Sequence, residues 1–342
     1  MDLVARTDLE EILETTEDVW RSLDGGRLFV TGATGFYGVW LLSALAHATR
    51  RLDLRVRIVV LTRDPASARA KYGAVLDALG AELLAGDTRT FAFPAGAFSH
   101  VIHGATSASA SLNASDPFEM FDVIVSGTRR VLELASAAKC SRFLLMSSGA
   151  VYGPQPPAMT HLAETYGGGP SALDVANAYA EGKRAAELLC AIAARQSGFE
   201  LVSARGFAFV GPHLPLDAHF AIGNFLRDAI AGGPIRILGD GTPYRSYLYG
   251  SDLATWMWTL LVRGRSGAAY NVGSDDGRPL REIAERVAAH AGVDVHVAKS
   301  APPHHVPARY VPDVARATSE LGLSIRVPLD EAIQRTLGFL KS

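Results

Sequence analysis

Cysteine is nearly absent from this chain. Two residues among 342, Cys140 and Cys190, are too few for a disulfide framework, and both fall in stretches that read as helix. They are expected to be buried, reduced thiols, which points to the cytoplasm. An excess of one charge is lacking too: 33 Lys and Arg against 35 Asp and Glu leave a formal net charge of -2. Without a basic surplus, neither nucleic acid nor a membrane surface is an expected partner, although a small anionic ligand needs only a local cluster. No apolar run approaches the roughly 20 residues that span a bilayer. The opening MDLVARTDLEEILE is acidic and has no apolar core of a secretory signal. No metal site is expected. What is present, 48% hydrophobic and 20% charged residues, suffices to bury a large core, divided between two packed lobes.

Residues 1–26 form an extension in which Leu9, Ile12, Leu13, Val19, Trp20 and Leu23 recur at roughly helical spacing, as expected for docking on the rest of the chain or on a partner. From Arg27 onward, short β-branched runs (RLFVTG, VRIVVL, AELLAGD, HVIHGA, RFLLMSS, FELVSARG) alternate with amphipathic stretches. That alternation predicts an α/β fold, a doubly wound parallel sheet with helices on both faces over 27–207. The stretch from Asp116 to Lys139 reads as a long helix, with Asp116 as N-cap and Pro117 at its first position. Phe121, Ile124, Val125, Thr128, Val131, Leu132 and Ala135 are expected on its inner side. After Gly206 the pattern turns irregular and rich in Gly and Pro, so a smaller C-terminal α/β lobe is expected over 208–342.

Thr31-Gly32-Ala33-Thr34-Gly35-Phe36-Tyr37-Gly38 follows a strand and opens a helix, the setting in which a glycine pattern indicates dinucleotide binding of the Rossmann type. Gly32 permits the tight turn, Gly35 lets the backbone approach a pyrophosphate, and Gly38 lets helix and strand pack closely. Thr34, Phe36 and Tyr37 complete the loop around a helix N-terminus, with its free N–H groups and partial positive charge. The next strand should end beside the adenosine ribose, where NAD enzymes usually place an acidic residue. Thr62 stands there instead and Arg63 follows, residue types that lean toward NADP over NAD because a guanidinium suits a 2'-phosphate. Asp64 remains able to rotate toward a ribose, and Asp87 and Thr88 are placed to meet the adenine edge.

Tyr179 and Lys183 lie four residues apart at the start of a helical run and so share one face. A phenol is a poor base at neutral pH, but an adjacent ammonium and a nicotinium ring favour its ionised form. Upstream, MSSGAVYG ends a strand at the carboxyl edge of the sheet and brings Ser147 and Ser148 there. Ser148 can donate to a substrate oxygen that changes between alcohol and carbonyl while Tyr179 moves its proton.

TGATGFYG, SSGAVYG and YAEGK, in this order and spacing, resemble the extended short-chain dehydrogenase/reductase family of nucleotide-sugar epimerases, dehydratases and reductases, from about Arg27 to the C-terminus. The resemblance implies a catalytic set of Ser148, Tyr179 and Lys183, with Ser147 beside the cofactor and Gly104, Ala105 and Thr106 lining it. RGFAFVGP, HFAIGNF, GDGTPYRSYLYGSDLA and RYVPD resemble the family's nucleotide-sugar contacts. They imply Asn224, Arg245 and Arg309 near the nucleotide diphosphate, as suits forked, permanently charged donors. The family also implies a homodimer through the helices that contain Asp116 and Tyr179.

The chain departs from the pattern at several places. Gly149 and Ala150 stand where dehydratases place acidic residues, Ile124 and Ala208 where many members have Asn. His213, Asp217 and His219 are candidates for a missing acid or base, and Asp252 for a helix cap. The resulting reading is an NAD(P)-dependent enzyme that moves hydride at C4 of a nucleotide-diphosphate sugar, as an epimerase or a 4-ketoreductase. A 4,6-dehydratase is the alternative within the class. A non-catalytic dinucleotide sensor is the alternative outside it, and the presence of Ser148, Tyr179 and Lys183 together speaks against that.

Overall fold

Strand β1 (Arg27–Thr31) is flanked by parallel partners on both sides, β2 (Arg57–Thr62) and a strand from later in the chain. A strand covered on both faces reads as an unbroken apolar run rather than an alternating one, and RLFVT and RIVVLT show that pattern. After the edge strand β3 (Glu82–Ala85) come β4 (His100–His103), β5 (Arg142–Ser148) and β6 (Glu200–Gly206). Short strands β7 (Phe209–Val210), β8 (Ile235–Ile237), β9 (Tyr244–Arg245) and β10 (Leu248–Tyr249) precede β11 (Ala268–Val272), and β12 (Arg278–Pro279), β13 (Val295–Val297) and β14 (Arg309–Tyr310) follow it. The central sheet has seven parallel strands in the order β11-β6-β5-β4-β1-β2-β3. These are features of a computed structural model that describes residues 3–106, 110–218 and 220–341.

The helices α1 (Arg6–Thr15), α2 (Glu17–Arg21), α3 (Phe36–Leu52), α4 (Pro65–Ala78), α5 (Ala110–Ser115), α6 (Pro117–Ala137), α7 (Ala178–Ser197), α8 (Ala221–Ile230) and α9 (Gly250–Arg263) surround the sheet and begin the second lobe. That lobe is completed by α10 (Leu280–Ala291), α11 (Ala315–Leu321) and α12 (Leu329–Lys341). Strand alternation divides the core: Leu28, Val30, Ile58 and Val60 pack with α3 and α9, whereas Phe29, Val59, Val101 and Phe143 pack with α6 and α7. Beside the main sheet, β12-β9-β14 form a three-stranded sheet, and β13 pairs with β8.

Several local expectations meet a different outcome. Asp116 does cap α6, accepting from the Glu119 N–H at 2.9 Å, but Phe121 lies on the outer face at 39% exposure while Ile124, Thr128, Val131 and Ala135 are buried. Phe121 keeps the helical spacing of those four residues, so spacing alone does not show that the stripe is uncovered at its N-terminal end. Cys140 sits in the turn after α6 rather than in a helix, and Cys190 is in α7. Both are free and buried, and burial pushes the Cys140 thiol up to about 12. The seventh strand, β11, comes from well beyond residue 207, so the chain returns through α9 to finish the sheet.

The N-terminal extension docks on its own chain. Leu9, Ile12, Leu13, Val19, Trp20 and Leu23 are all buried, and the Trp20 ring lies 5.0 Å from that of Trp258 in α9. Buried Asp8 accepts from Tyr249 at 2.9 Å and pairs with Arg335 of α12, which also holds Glu11 and Glu331. A buried charge persists only when paired, so this cluster fixes α1 against Tyr249 and α12.

Candidate active site

Strand order reverses beside β1, between β2 and β4, which opens a crevice at the carboxyl ends of β1 and β4. Gly32, with φ +76°, ends β1; a Cβ there would stand 2.5 Å from the Gly104 carbonyl carbon. The two walls of the crevice meet because Gly32 has no side chain, while a Cβ on Gly104 would stand 2.3 Å from the Met146 sulfur. At Gly38 a Cβ would come within 2.0 Å of the Ala33 oxygen, so α3 packs directly on the loop that starts it. Gly35 is the N-cap of α3 and no side chain caps the helix, which leaves first-turn N–H groups and the positive end of the dipole for an anion. Thr88 and Thr106 each bury a hydroxyl without a partner. The Thr34 carbonyl accepts from Tyr72 at 2.8 Å, and the Gly104 and Ala105 N–H groups donate to the Thr31 hydroxyl at 3.1 and 3.0 Å. These features fit a dinucleotide.

At the end of β2, the Asp64 carboxylate caps α4 by accepting from the Ser67 N–H at 2.9 Å, so it is not free to turn inward. The Thr62 hydroxyl accepts from the Asp64 N–H at 3.3 Å. Arg63 is exposed and makes no ion pair among the described residues. Asp87 has both oxygens on Arg89, at 2.9 and 3.2 Å, and Arg89 also reaches Glu119 and Asp122. That ion cluster holds the Asp87 carboxyl below its ordinary value and directs the side chain to α6.

Ser148 ends β5, and α7 brings Tyr179 and Lys183 to it one turn apart. The Ser148 hydroxyl accepts from the Ala150 N–H at 3.1 Å and lies beside the Tyr179 phenol. Lys183 donates to the Met146 carbonyl at 2.9 Å, and its Nζ lies 5.9 Å from the centroid of the Tyr179 ring. Burial pulls the Lys183 ammonium down to about 8. Burial also raises the Tyr179 phenol, and the Ser148 hydrogen bond pulls it back. His103 is a neutral imidazole, lowered to about 3 by burial and by Lys183. Its Nδ1 and Nε2 lie 2.8 Å from Thr31 and 3.0 Å from Thr128. Since the Thr31 oxygen already accepts two N–H bonds, its proton goes to Nδ1.

Ser147 points the other way: its hydroxyl donates to Glu187 at 2.6 Å, and Glu187 is held by Arg205 at 2.9 and 2.7 Å. Its side chain therefore ties β5 to α7. Arg205 reaches on to Tyr152, which donates to Asn271 at 2.7 Å. Sequence reasoning missed Glu187, although it continues the Tyr179–Lys183 face by one more turn.

Facing Ser148, the pairing of β9 with β14 sets Arg309 opposite Tyr244 and Tyr310 opposite Arg245. The Arg309 guanidinium stacks on Tyr244, 3.9 Å from its centroid; Arg245 donates to the Tyr244 carbonyl at 2.7 Å and lies 5.9 Å from the Tyr310 ring. Both guanidinium groups are half-buried and lack a carboxylate among the described residues. Asn224, on α8, accepts from Arg227 at 3.2 Å.

Tyr310 was another residue passed over in the sequence, although it adjoins Arg309. Its phenol reaches Ser148, its ring lies 4.6 Å from that of Phe207, and a Cβ on Gly149 would stand 2.6 Å from its oxygen. Tyr37 comes from the glycine loop into the same group, since a Cβ on Gly206 would meet its hydroxyl at 2.2 Å, and its phenol is raised by burial and by Tyr179 and Tyr310.

Three other candidates stand apart. The His213 ring contacts the Leu3 carbonyl at 2.5 Å and packs on Phe339; Asp217 is exposed; His219 lies outside the described residues. Asp252 is not the cap of α9, whose N-cap is Tyr249. Its carboxylate instead accepts from the Arg326 and Val327 N–H groups, both at 3.1 Å, and burial raises it to about 6. Among the described residues no cluster of metal ligands occurs, and no helix is long and apolar enough to cross a membrane.

Comparison with known proteins agrees with this geometry. The chain is 28% identical over 307 residues to UDP-glucuronic acid decarboxylase 6 of Arabidopsis thaliana, covering 90% of this chain and 86% of that protein. Among solved structures, MoeE5 in complex with UDP-glucuronic acid and NAD superposes with a TM-score of 0.75 at 25% identity, over 92% of this chain and 99% of that one. RMD from Pseudomonas aeruginosa complexed with NADPH gives 0.73 at 25% identity, over 93% and 100%. Residues 28–273 match the profile of the NAD dependent epimerase/dehydratase family, and to that family this chain belongs.

Proposed function

We propose that this enzyme transfers hydride at C4 of a nucleotide-diphosphate sugar, as an epimerase or a 4-ketoreductase, with Tyr179 as acid/base. The observation that carries the reading is the meeting of Ser148 and Tyr179 at the mouth of the glycine crevice, with no carboxylate at positions 149 and 150. A bound nicotinamide dinucleotide supplies the hydride acceptor or donor. Gly32, Thr34, Gly35, Phe36, Tyr37 and Gly38 hold its pyrophosphate, and Gly104, Ala105, Thr106 and Thr88 flank it. Residues 27–207, together with the returning α9 and β11, make up the dinucleotide side.

In the oxidative direction Tyr179 takes the proton of the C4 hydroxyl, Ser148 holds that oxygen, and Lys183 supplies positive charge that favours the phenolate. Arg245 and Arg309, half-buried and without a carboxylate among the described residues, receive the diphosphate from the second lobe, with Asn224 as a further contact. Arg63, free of ion pairs, and Asp64, committed to its cap, favour NADP over NAD.

The relatives named above support a second reading, decarboxylation of a nucleotide-linked uronic acid. Once C4 is a carbonyl, the C6 carboxylate is that of a β-keto acid. Its C–C bond can break with the electron pair delocalised onto the C4 oxygen, which needs no carboxylate base at positions 149 and 150. Simple 4,6-dehydration, by contrast, has no acid at those positions to act.

We also place a homodimer interface on the outer faces of α6 and α7, where Phe118, Phe121, Leu188 and Ile192 are exposed at 82%, 39%, 63% and 46%.

The decisive experiment identifies the cofactor released on denaturation, then follows UDP-glucose, UDP-glucuronic acid and their 4-keto forms by NMR with NAD, NADH and NADPH. Interconverted C4 isomers without net cofactor use indicate epimerase, stoichiometric NADPH oxidation a reductase, and a pentose product with CO2 a decarboxylase. Tyr179→Phe is expected to lower turnover by about a thousandfold or more while cofactor binding persists. Unchanged turnover would overturn the assignment.

A further inference from the structure

Strand β14 carries Arg309, yet it is two residues long and forms the edge of its small sheet, paired with β9 alone. So short a pairing is marginal by itself, and what fixes Arg309 lies beyond the strand. The Val311 N–H donates to the Gln155 side-chain oxygen at 3.0 Å. The Val311 carbonyl accepts from the Leu162 N–H, and the Leu162 carbonyl from the Asp313 N–H, each at 2.9 Å. One side chain then joins both segments to the central sheet. The Asn271 amide nitrogen, from β11, donates to the Leu162 carbonyl at 2.7 Å and to the Asp313 carbonyl at 2.9 Å, and the Asn271 side-chain oxygen accepts from Tyr152 at 2.7 Å.

The chemistry of these partners leaves little choice of residue. Two carbonyl oxygens call for two N–H donors on one atom, while the Tyr152 oxygen, which already accepts from Arg205 at 3.0 Å, has its own proton to give. A carboxamide meets both demands at once. A carboxylate would set a bare oxygen against two carbonyls, and an apolar side chain would leave all three partners open. Asn271 has no exposed surface, so bulk water does not compete for these bonds.

We propose that Asn271, with Gln155 as its lesser partner, is a positioning residue for the nucleotide sugar: its carboxamide ties the segment after β14 to the central sheet and so holds the Arg309 guanidinium on Tyr244, where a diphosphate is received. This rests on the reading of Arg309 as a diphosphate ligand. A guanidinium that is not held must be ordered when the ligand arrives, and that cost is subtracted from the affinity. Substitution at 271 or 155 leaves Arg309 chemically unchanged, so a loss of diphosphate affinity reports its placement.

The test is a calorimetric titration of the full chain, saturated with whichever of NAD and NADP it binds. UDP, dTDP and GDP present the diphosphate without a reacting sugar, and the one that binds tightest serves for the variants. Asn271→Leu is expected to weaken it about tenfold and Gln155→Leu about threefold, as suits three buried hydrogen bonds against one. Dinucleotide affinity should stay the same in both. In an Arg309→Ala chain, itself weakened, each of the two substitutions should change affinity by less than about twofold, because the group through which they act is gone.

Unchanged diphosphate affinity in Asn271→Leu overturns the proposal; if that variant does not fold, unchanged affinity in Gln155→Leu does so in its place. An undiminished loss on top of Arg309→Ala, or an equal weakening of the dinucleotide, overturns it too, since either makes the tie general scaffolding. An Arg309→Ala chain that binds the diphosphate like the unaltered one, or an unaltered chain that binds none of the three, removes the reading of Arg309 and this inference with it.

Discussion

Gly32, Gly35 and Gly38 act within one loop, whereas Arg245 and Tyr310 reach the crevice from strands β9 and β14, far apart in the chain and brought together by their pairing and by arginine–tyrosine stacking. The cofactor wall is thus a local structure: a turn, a helix N-terminus and a close backbone contact, each dictated by residues a few positions apart. The opposite wall is a product of tertiary assembly, in which two arginines are left half-buried without a carboxylate among the described residues, the feature on which their proposed role as diphosphate ligands rests. Backbone geometry tolerates almost no change on the first wall. On the second, a single side chain can be removed at the cost of its own contacts.

The most damaging break falls on the local wall. Gly38→Ala sets a Cβ 2.0 Å from a backbone oxygen, with no flexible side chain to yield. We expect a loss of about 3 kcal/mol in thermal or denaturant unfolding, together with a fall in dinucleotide affinity measured by titration. Normal cofactor binding in this variant would mean that α3 does not pack on its loop as described.

Removing a guanidinium from the assembled wall should do less, and selectively. Arg309→Ala and Arg245→Ala are each expected to raise KM for UDP-glucose or UDP-glucuronic acid about 10- to 100-fold, the worth of a charge-assisted contact. Dinucleotide affinity should stay unchanged, and steady-state kinetics beside cofactor titration separate the two effects. Equal weakening of both ligands would erase the contrast between the walls.

The smallest effect lies away from both walls. Asp252 is raised to about 6 from an ordinary 3.8, so its folded-state pKa lies above the unfolded one. Its contribution to stability is full below about pH 4 and is lost as pH rises through about 6. Asp252→Asn keeps an oxygen for the Arg326 and Val327 N–H groups and avoids the buried charge. It should therefore be more stable than the parent by about 1 kcal/mol at pH 8 and equal to it near pH 4. A pH-independent difference in melting temperature would contradict this.

The strands of the sheet were legible because burial on both faces demands unbroken apolar runs, and the Asp116 cap because Pro117 follows it. The catalytic pair was legible from its spacing of one helical turn. Other features were not. Ser147 and Ser148 are neighbours of the same type, and only strand alternation together with Glu187 on α7 sends one to the scaffold and the other to the crevice. For Asp87, read as meeting an adenine edge, spacing did not show that Arg89, two residues on, would bond both its oxygens. Asp252 looked like a helix cap, but the turn that brings Arg326 and Val327 to it lies more than 70 residues later in the chain.

By itself the sequence determined the elements whose causes are short-range: the glycine turn, the helix that opens from it, the Tyr179–Lys183 face and the apolar strands between them. Tertiary structure alone decided that β11 completes the sheet, that Tyr310 lies over Gly149, and that Arg245 and Arg309 go without a counter-charge. Hydrogen-bond partners and desolvation depend on what arrives from elsewhere in the chain, and spacing along a single segment contains no record of that.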